Sequence, residues 1–297
     1  MGILLSLLSG LLNGLGGIGY KVADLGKVNA IQSAAMLSLG GTLFFGIRAL
    51  LGGEWQHLTW ELAGLTLAIG LCQYLGLVLL ALGFRLGPLS LLWCSASLQF
   101  MPTMLFAWLV YDEPITLCQW LGLIPLTGAI ASASLGGNAS SSASSRTRIL
   151  PFLLILISLP FLFSSVGVGM KFGNYHQVPG QPDAMLRLAG NVFFSLVYLV
   201  MLLLNATDLT LRRRWHFSRL GMIGSLLTTV PIVLSFVVQL HIVAAPAALV
   251  FALSASMSMF STAMLSTTFL HEQRTPQWYA TLLCSILAVI LMANGQT

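Results

Sequence analysis

Charged side chains are scarce in this chain. Only 7% of its 297 residues are Asp, Glu, Lys or Arg, and 57% are hydrophobic, whereas soluble domains carry about 25% charged residues. The mean hydropathy is +0.91. A water-soluble core is therefore excluded. The few basic residues form no stripe on a soluble fold, which argues against a nucleic-acid partner.

The residue patterns of enzymes are also missing. The four cysteines all lie in apolar segments (Cys72, Cys94, Cys118 and Cys284), which favours packing roles over a disulfide framework. The five histidines are dispersed without metal-ligand spacing. No glycine-rich phosphate loop follows a predicted strand. The sequence thus predicts no enzymatic activity, no cofactor and no bound metal.

Long apolar runs, by contrast, fill the chain. A helix needs about 20 apolar residues to cross about 30 Å of hydrocarbon, and only helices or closed barrels satisfy their backbone groups in lipid. Ten such segments are separated by short, breaker-rich connections. The sequence therefore predicts an all-α integral membrane protein with ten transmembrane helices, near 3–22, 31–51, 61–83, 87–110, 117–135, 149–170, 184–204, 219–240, 244–269 and 277–294.

The second half of the chain repeats short elements of the first half. The segment Ser95-Ala96-Ser97 returns as Ser254-Ala255-Ser256, and Gly17-Ile18-Gly19-Tyr20-Lys21 returns as Gly167-Val168-Gly169-Met170-Lys171. A Gly/Ser-rich linker at 136–148 separates the five-helix units 1–135 and 149–297. Because five is odd, the two units must enter the membrane in opposite directions. An inverted repeat of this kind is typical of secondary transporters.

Motifs after the fourth predicted helix of each half resemble a known family. The first half has Asp112-Glu113-Pro114-Ile115-Thr116 followed by Gln119-Trp120-Leu121-Gly122, and the second half has His271-Glu272 and Gln277-Trp278. With ten spans in two halves, these motifs resemble the drug/metabolite transporter superfamily, EamA type. The resemblance implies secondary-active transport of a small organic metabolite by alternating access, in a multi-pass protein of a bacterial cytoplasmic (inner) membrane.

The resemblance also indicates the partners. They are a small-molecule substrate and the lipid bilayer. Whether transport is also coupled to a proton or a counter-solute is left undecided. Both halves lie in one chain, so a monomer is adequate and an oligomer is not excluded. Two alternatives stay open for the function: an exporter of lipophilic cations or drugs, and a non-transporting membrane scaffold or subunit.

Polar residues inside the apolar spans are the candidates for a substrate cavity. Ser95 and Gln99, like Ser254 and Ser258, are spaced i and i+4 and so share a helix face. An amide in lipid needs hydrogen-bond partners, which singles out Gln99. The alternative for the serines is close helix packing. The predicted cavity set is Asn13, Gln73, Tyr74, Ser95, Gln99, Ser254 and Ser258.

Four charged residues near the helix ends are predicted at the mouths or gates of the pathway. Lys21 and Lys171 close the first helix of each half, and Glu113 and Glu272 follow the fourth. The alternative for the lysines is snorkelling to lipid headgroups. The alternative for the glutamates is a solvated loop carboxylate that caps the next helix.

The charge distribution and the family resemblance disagree on orientation. Of the 13 Lys and Arg residues, only Arg48, Lys171 and Arg187 are predicted on the same side as the N-terminus. Short cytoplasmic loops normally carry the excess of basic residues, so the charge count places both termini outside. The family usually has them in the cytoplasm.

Overall fold

The structure is a computed structural model that describes residues 1–83, 96, 98–136, 149–177, 183–212, 215–269 and 276–294. Within these residues the fold is all helical, with ten α-helices and no β-strand. They are α1 (Gly2–Leu25), α2 (Ala30–Leu51), α3 (Trp60–Gly83), α4 (Phe100–Tyr111), α5 (Leu117–Gly136), α6 (Ile149–Tyr175), α7 (Met185–Leu211), α8 (Arg219–Ile242), α9 (Leu253–Phe269) and α10 (Pro276–Asn294).

These bounds confirm the predicted all-α class. Seven of the described helices are long and apolar enough to cross a membrane, namely α1, α2, α3, α6, α7, α8 and α9 with the turn before it. The predicted span 87–110 is described only from residue 96 onward, without residue 97. The predicted span 244–269 begins with a π-helical turn, Ala248–Ala252, that leads into α9.

Several helix starts follow from local capping chemistry. The Asn29 side chain accepts a hydrogen bond from Gln32 N at 2.8 Å, and the Ser218 hydroxyl accepts one from Gly221 N at 3.0 Å. Both satisfy backbone donors that the first turn of a helix leaves unpaired. Asn29 and Ser218 therefore fix the starts of α2 and α8.

The first helix of each predicted half packs against the other half. Helix α1 packs most extensively on α8 and α9, while α6 packs on α3 and α4. Helix α2 lies against α7, and α5 lies against α10. A two-fold relation between the halves would give these pairings, and the inverted repeat itself stays a prediction.

Glycines bring α1 unusually close to its neighbours. A Cβ built on Gly10 would lie 2.4 Å from the Ser254 carbonyl oxygen, and one on Gly19 would lie 2.3 Å from Thr228 N. Real side chains do not tolerate such approaches to backbone, so these positions need glycine. Small residues at helix contacts are the usual means of close packing in membranes.

Successive spanning helices alternate in direction, which defines two membrane faces. The connections near Glu54, Glu113, Lys171 and Ala245 lie at one face, here called the Glu113 face. The connections near Lys27 and Arg219 lie at the other, here called the Arg219 face.

Candidate functional site

A buried ion pair joins the two halves of the chain at the Glu113 face. Lys171 Nζ lies 2.5 Å from Glu113 Oε1. Lys171 is fully buried and Glu113 is 6% exposed. Glu113 follows α4, whereas Lys171 lies in the last two turns of α6. The pair therefore links the fourth helix of the first half to the first helix of the second.

Both charged groups also bind the backbone between α8 and α9. Lys171 Nζ donates to the Ala245 carbonyl oxygen at 2.6 Å, and Ala247 N donates to Glu113 Oε2 at 2.6 Å. The Tyr175 hydroxyl donates to Glu113 Oε1 at 2.9 Å. These five residues form a closed contact, here called the clamp.

The local sequence explains how the clamp forms on each side. Helix α4 ends at Asp112 in the left-handed conformation, with φ 51°, and this turn directs Glu113 back towards the bundle. Pro246 separates Ala245 from Ala247 and has no N–H of its own. Ala247 precedes the first turn of the next helix, where backbone N–H groups are unpaired and the helix dipole favours a carboxylate.

The clamp satisfies the conditions under which a membrane tolerates a charge pair. A charge buried alone in lipid costs at least about 2.5–3.5 kcal/mol, but here the two opposite charges cancel and four hydrogen bonds serve them. The rings of Tyr111 and Tyr175 stack with centroids 4.1 Å apart. The Tyr175 side chain therefore both bonds the carboxylate of the clamp and packs on the last residue of α4.

The structure decides between the alternatives for two of the predicted charged residues. Glu113 is not a solvated loop carboxylate, because it is buried and bonded on both oxygens. Lys171 does not snorkel, because none of its surface is exposed. Lys21 is exposed at the end of α1. Glu272 lies outside the described residues, and the gate roles of all four stay predictions.

The predicted cavity residues do not all meet at one place in this conformation. Gln73 Nε2 donates to the Phe163 carbonyl oxygen at 3.0 Å and to Ser165 Oγ at 3.1 Å, so it ties α3 to α6. Tyr74, also on α3, is partly buried.

The remaining cavity residues divide between buried and open positions. Ser254 is 3% exposed and shares a hydrogen bond with Ser9 Oγ at 3.1 Å, which is a packing contact here. Asn13 and Ser258 are partly buried, and Gln99 is exposed just before α4. Ser95 lies outside the described residues.

Sequence reasoning missed a buried polar network between α1, α8 and α9. Ser9 Oγ lies 2.8 Å from Ser235 Oγ and accepts a hydrogen bond from Gln239 Nε2 at 2.9 Å. Ser9 and Ser235 are fully buried. No local pattern pairs residues 226 positions apart. Tyr175 was missed as well, although its place one helical turn after Lys171 puts both on one face.

Comparison with known proteins agrees with the fold and the motifs. Residues 1–135 match the EamA-like transporter family. A solved crystal structure aligns with 100% of this chain and 99% of its own, at a TM-score of 0.76 and 14% sequence identity, which shows a shared fold. No curated protein matches the sequence. Residues 1–135 of the chain are thus similar to the EamA-like transporter family of the drug/metabolite transporter superfamily, a group of membrane transporters.

Proposed function

We propose that this protein is a secondary-active transporter that moves a small organic metabolite across a bacterial cytoplasmic membrane by alternating access. The observation that carries this proposal is the clamp. It ties α4 and α6 to the α8–α9 connection through side chains on one side and backbone on the other. In this proposal the clamp closes the Glu113 face, and its polar contacts are exchanged for others when that face opens.

The packing supports a division of the helices into two groups that would move relative to each other. Helices α1, α8 and α9 pack together, here called the α1 group, and α3, α4 and α6 pack together, here called the α6 group. Glu113 and Lys171 belong to the α6 group, whereas Ala245 and Ala247 belong to the α1 group. The clamp therefore bridges the two groups, and its rupture would let them rock apart at the Glu113 face.

The sequence repeat supplies a counterpart for the opposite face. Lys21 corresponds to Lys171, Glu272 to Glu113, and Gly87-Pro88-Leu89 to Ala245-Pro246-Ala247. We assign these residues to a second clamp that closes the Arg219 face when the first opens. Glu272 and residues 87–89 lie outside the described residues, so the repeat alone supports this counterpart.

The substrate would bind between the two groups. Asn13 and Ser258 lie on the adjacent helices α1 and α9, and Gln99 precedes α4 in the facing group. All three retain exposed surface at depths within the predicted spans. Polar groups kept open in an apolar layer are best explained by contact with a polar solute or water.

A ligand screen on the purified protein tests this proposal. A ligand that binds the native state raises its thermal stability by mass action, so a shift needs no assumption about direction or coupling. The panel contains amino acids, sugars, nucleosides, organic acids and cationic dyes, and each hit is followed by uptake into proteoliposomes. We expect one class to shift the midpoint and to show saturable flux.

Two variants locate the site. Gln99→Ala should abolish the shift, whereas Gln56→Ala should not, because Gln56 lies in an exposed turn beside His57. A hit among the cationic dyes alone would favour the drug-exporter alternative. A bound ligand without saturable flux, or silence across the panel, would contradict transport and favour the scaffold.

A further inference from the structure

Residues 216–218, in the connection just before α8, are hydrogen-bonded to the end of α1 and the start of α2. Gln32 Nε2 donates to the His216 carbonyl oxygen at 2.6 Å, and His216 N donates back to Gln32 Oε1 at 3.0 Å. The Ser218 hydroxyl donates to the Gly26 carbonyl oxygen at 2.6 Å. These bonds fix what the connection presents at the Arg219 face.

The connection presents an apolar surface where α8 enters the membrane. The rings of Trp215 and Phe217 are parallel within 3°, with centroids 6.0 Å apart, and Phe217 is 66% exposed. Beside them lies a shallow, wide-open cavity of about 490 Å³, formed entirely by residues at the start of α8: Phe217, Ser218, Arg219, Met222 and Ile223. Aromatic residues next to a cation at a helix end are typical of the bilayer interface.

A second basic residue is placed next to Arg219. Gly26 packs so tightly on α8 that a Cβ there would lie 2.2 Å from Gly221 N. Lys27, the next residue, is therefore held beside the start of α8. Its φ of 60° is a conformation that glycine adopts more easily, and a glycine usually follows a helix end of this kind.

Among the described residues at this face, the basic Lys21, Lys27, Arg212 and Arg219 outnumber the acidic Asp24 and Asp208. Both Lys27 and Arg219 are exposed, and most basic residues of the chain are predicted at this face. Cations above an apolar cavity match a ligand with an anionic head and hydrocarbon tails. A soluble anion would interact with the two basic side chains but would make no contact that requires the apolar lining.

We propose that this surface binds one anionic phospholipid. Its phosphate would lie between Lys27 and Arg219, and its acyl chains would follow Phe217, Met222 and Ile223 along α8. Each basic residue near a membrane surface contributes about 1 kcal/mol to attraction of anionic lipid. The site lies away from the clamp and does not depend on transport.

Native mass spectrometry of the detergent-solubilised full chain tests the site. The protein is incubated with equal amounts of phosphatidylglycerol and phosphatidylcholine of matched chains. We expect preferential retention of one phosphatidylglycerol. The double variant Lys27→Gln with Arg219→Gln should lower this retention at least about tenfold, since it removes two such contributions. Arg187→Gln, which changes an exposed basic residue on the Glu113 face, should leave it unchanged.

A competition experiment distinguishes binding of the whole lipid from binding of its headgroup alone. Glycerol phosphate without chains should not displace the lipid, and displacement would overturn the role of the apolar lining. Ile223→Asn should weaken both lipids while Lys27 and Arg219 stay intact. Equal retention of the two lipids by the native chain, or equal loss in Arg187→Gln, would overturn the proposal. Unchanged circular dichroism of each variant shows that it has folded.

Discussion

Glu113 and Lys171 are 58 positions apart in sequence and pair at the Glu113 face, with Lys171 Nζ 2.5 Å from Glu113 Oε1. The same two side chains bind the carbonyl and the amide on either side of Pro246. Three segments from both predicted halves thus converge on one closed contact. This relationship supports an account in which the clamp holds the Glu113 face shut.

Removing the carboxylate should destabilise the closed state. In Glu113→Gln the Lys171 ammonium stays buried without its counter-charge, and breaking a buried pair costs about 3–5 kcal/mol. Thermal unfolding in detergent should show a clearly lower midpoint. Adding Lys171→Met should recover much of the loss, because no lone charge remains. The control Glu61→Gln removes a carboxylate that is 62% exposed at the same face and should change little.

Exchanging the two charges should fail to restore the clamp. In the double variant Glu113→Lys with Lys171→Glu the pair keeps its attraction, but the ammonium would face Ala247 N and the carboxylate would face the Ala245 carbonyl oxygen. Both backbone contacts would become repulsive, since a donor would meet a donor and an acceptor an acceptor. A thermal midpoint close to that of the native protein would show that attraction alone matters and would contradict the backbone part of the clamp.

A glycine-to-alanine change should destabilise the protein where the glycine is tightly packed and stabilise it where the glycine faces open space. Gly19→Ala would bring a Cβ within 2.3 Å of Thr228 N, so α1 must move away from α8, at a typical cost of about 1–3 kcal/mol. Gly64→Ala on α3 meets nothing within 4 Å and should stabilise by up to about 1 kcal/mol through helix propensity. Thermal midpoints of the pair measure the contrast, and equal shifts would argue against the tight contact.

Because Ser9 lies at the centre of a buried hydroxyl network, replacing it should lower the stability more than replacing a serine normally does. Ser9→Ala removes three interhelical hydrogen bonds at once and should cost about 1–3 kcal/mol, because buried partners are left unpaired. Ser158→Ala removes only a bond to Leu154 within the same helix and serves as the control. A Ser9 variant as stable as the Ser158 variant would show that the network contributes nothing.

Relieving the backbone strain at Lys27 should raise the thermal stability of the protein and weaken its binding of phosphatidylglycerol. Lys27→Gly removes the cost of a left-handed residue, about 1–2 kcal/mol, so unfolding should shift to a higher temperature in lipid-free detergent. The same variant should lose part of its preference for phosphatidylglycerol. A midpoint that falls would mean that the Lys27 side chain stabilises the fold directly.

Sequence patterns could predict the helices but only part of the clamp. Apolar runs place α1, α2 and α3 within three residues of their bounds, because the membrane imposes helix length. Glu113 and Lys171 stood out because charges are rare in such segments. Their pairing, and the role of Ala245 and Ala247, could not be read from sequence, since backbone groups carry no residue signature.

For the serines, the residue pattern was visible in the sequence but did not determine their role. Ser254 repeats Ser95, and both patterns suggested a cavity wall. In the structure Ser254 bonds to Ser9 on α1, which is the packing contact that the sequence analysis kept as the alternative. A hydroxyl serves packing and substrate equally well, so the choice depends on which helix faces it, and that is a tertiary property.

Distance measurements between spin labels test the central claim most directly. In a variant without the four native cysteines, one pair is placed at Trp60 and His241 on the Glu113 face and another at Leu25 and Leu82 on the opposite face; all four positions are exposed. Each pair joins the α1 group to the α6 group. We predict that Glu113→Gln adds a longer distance to the first pair and a shorter one to the second. Unchanged distances in both pairs, in a variant that has lost the clamp, would contradict the account.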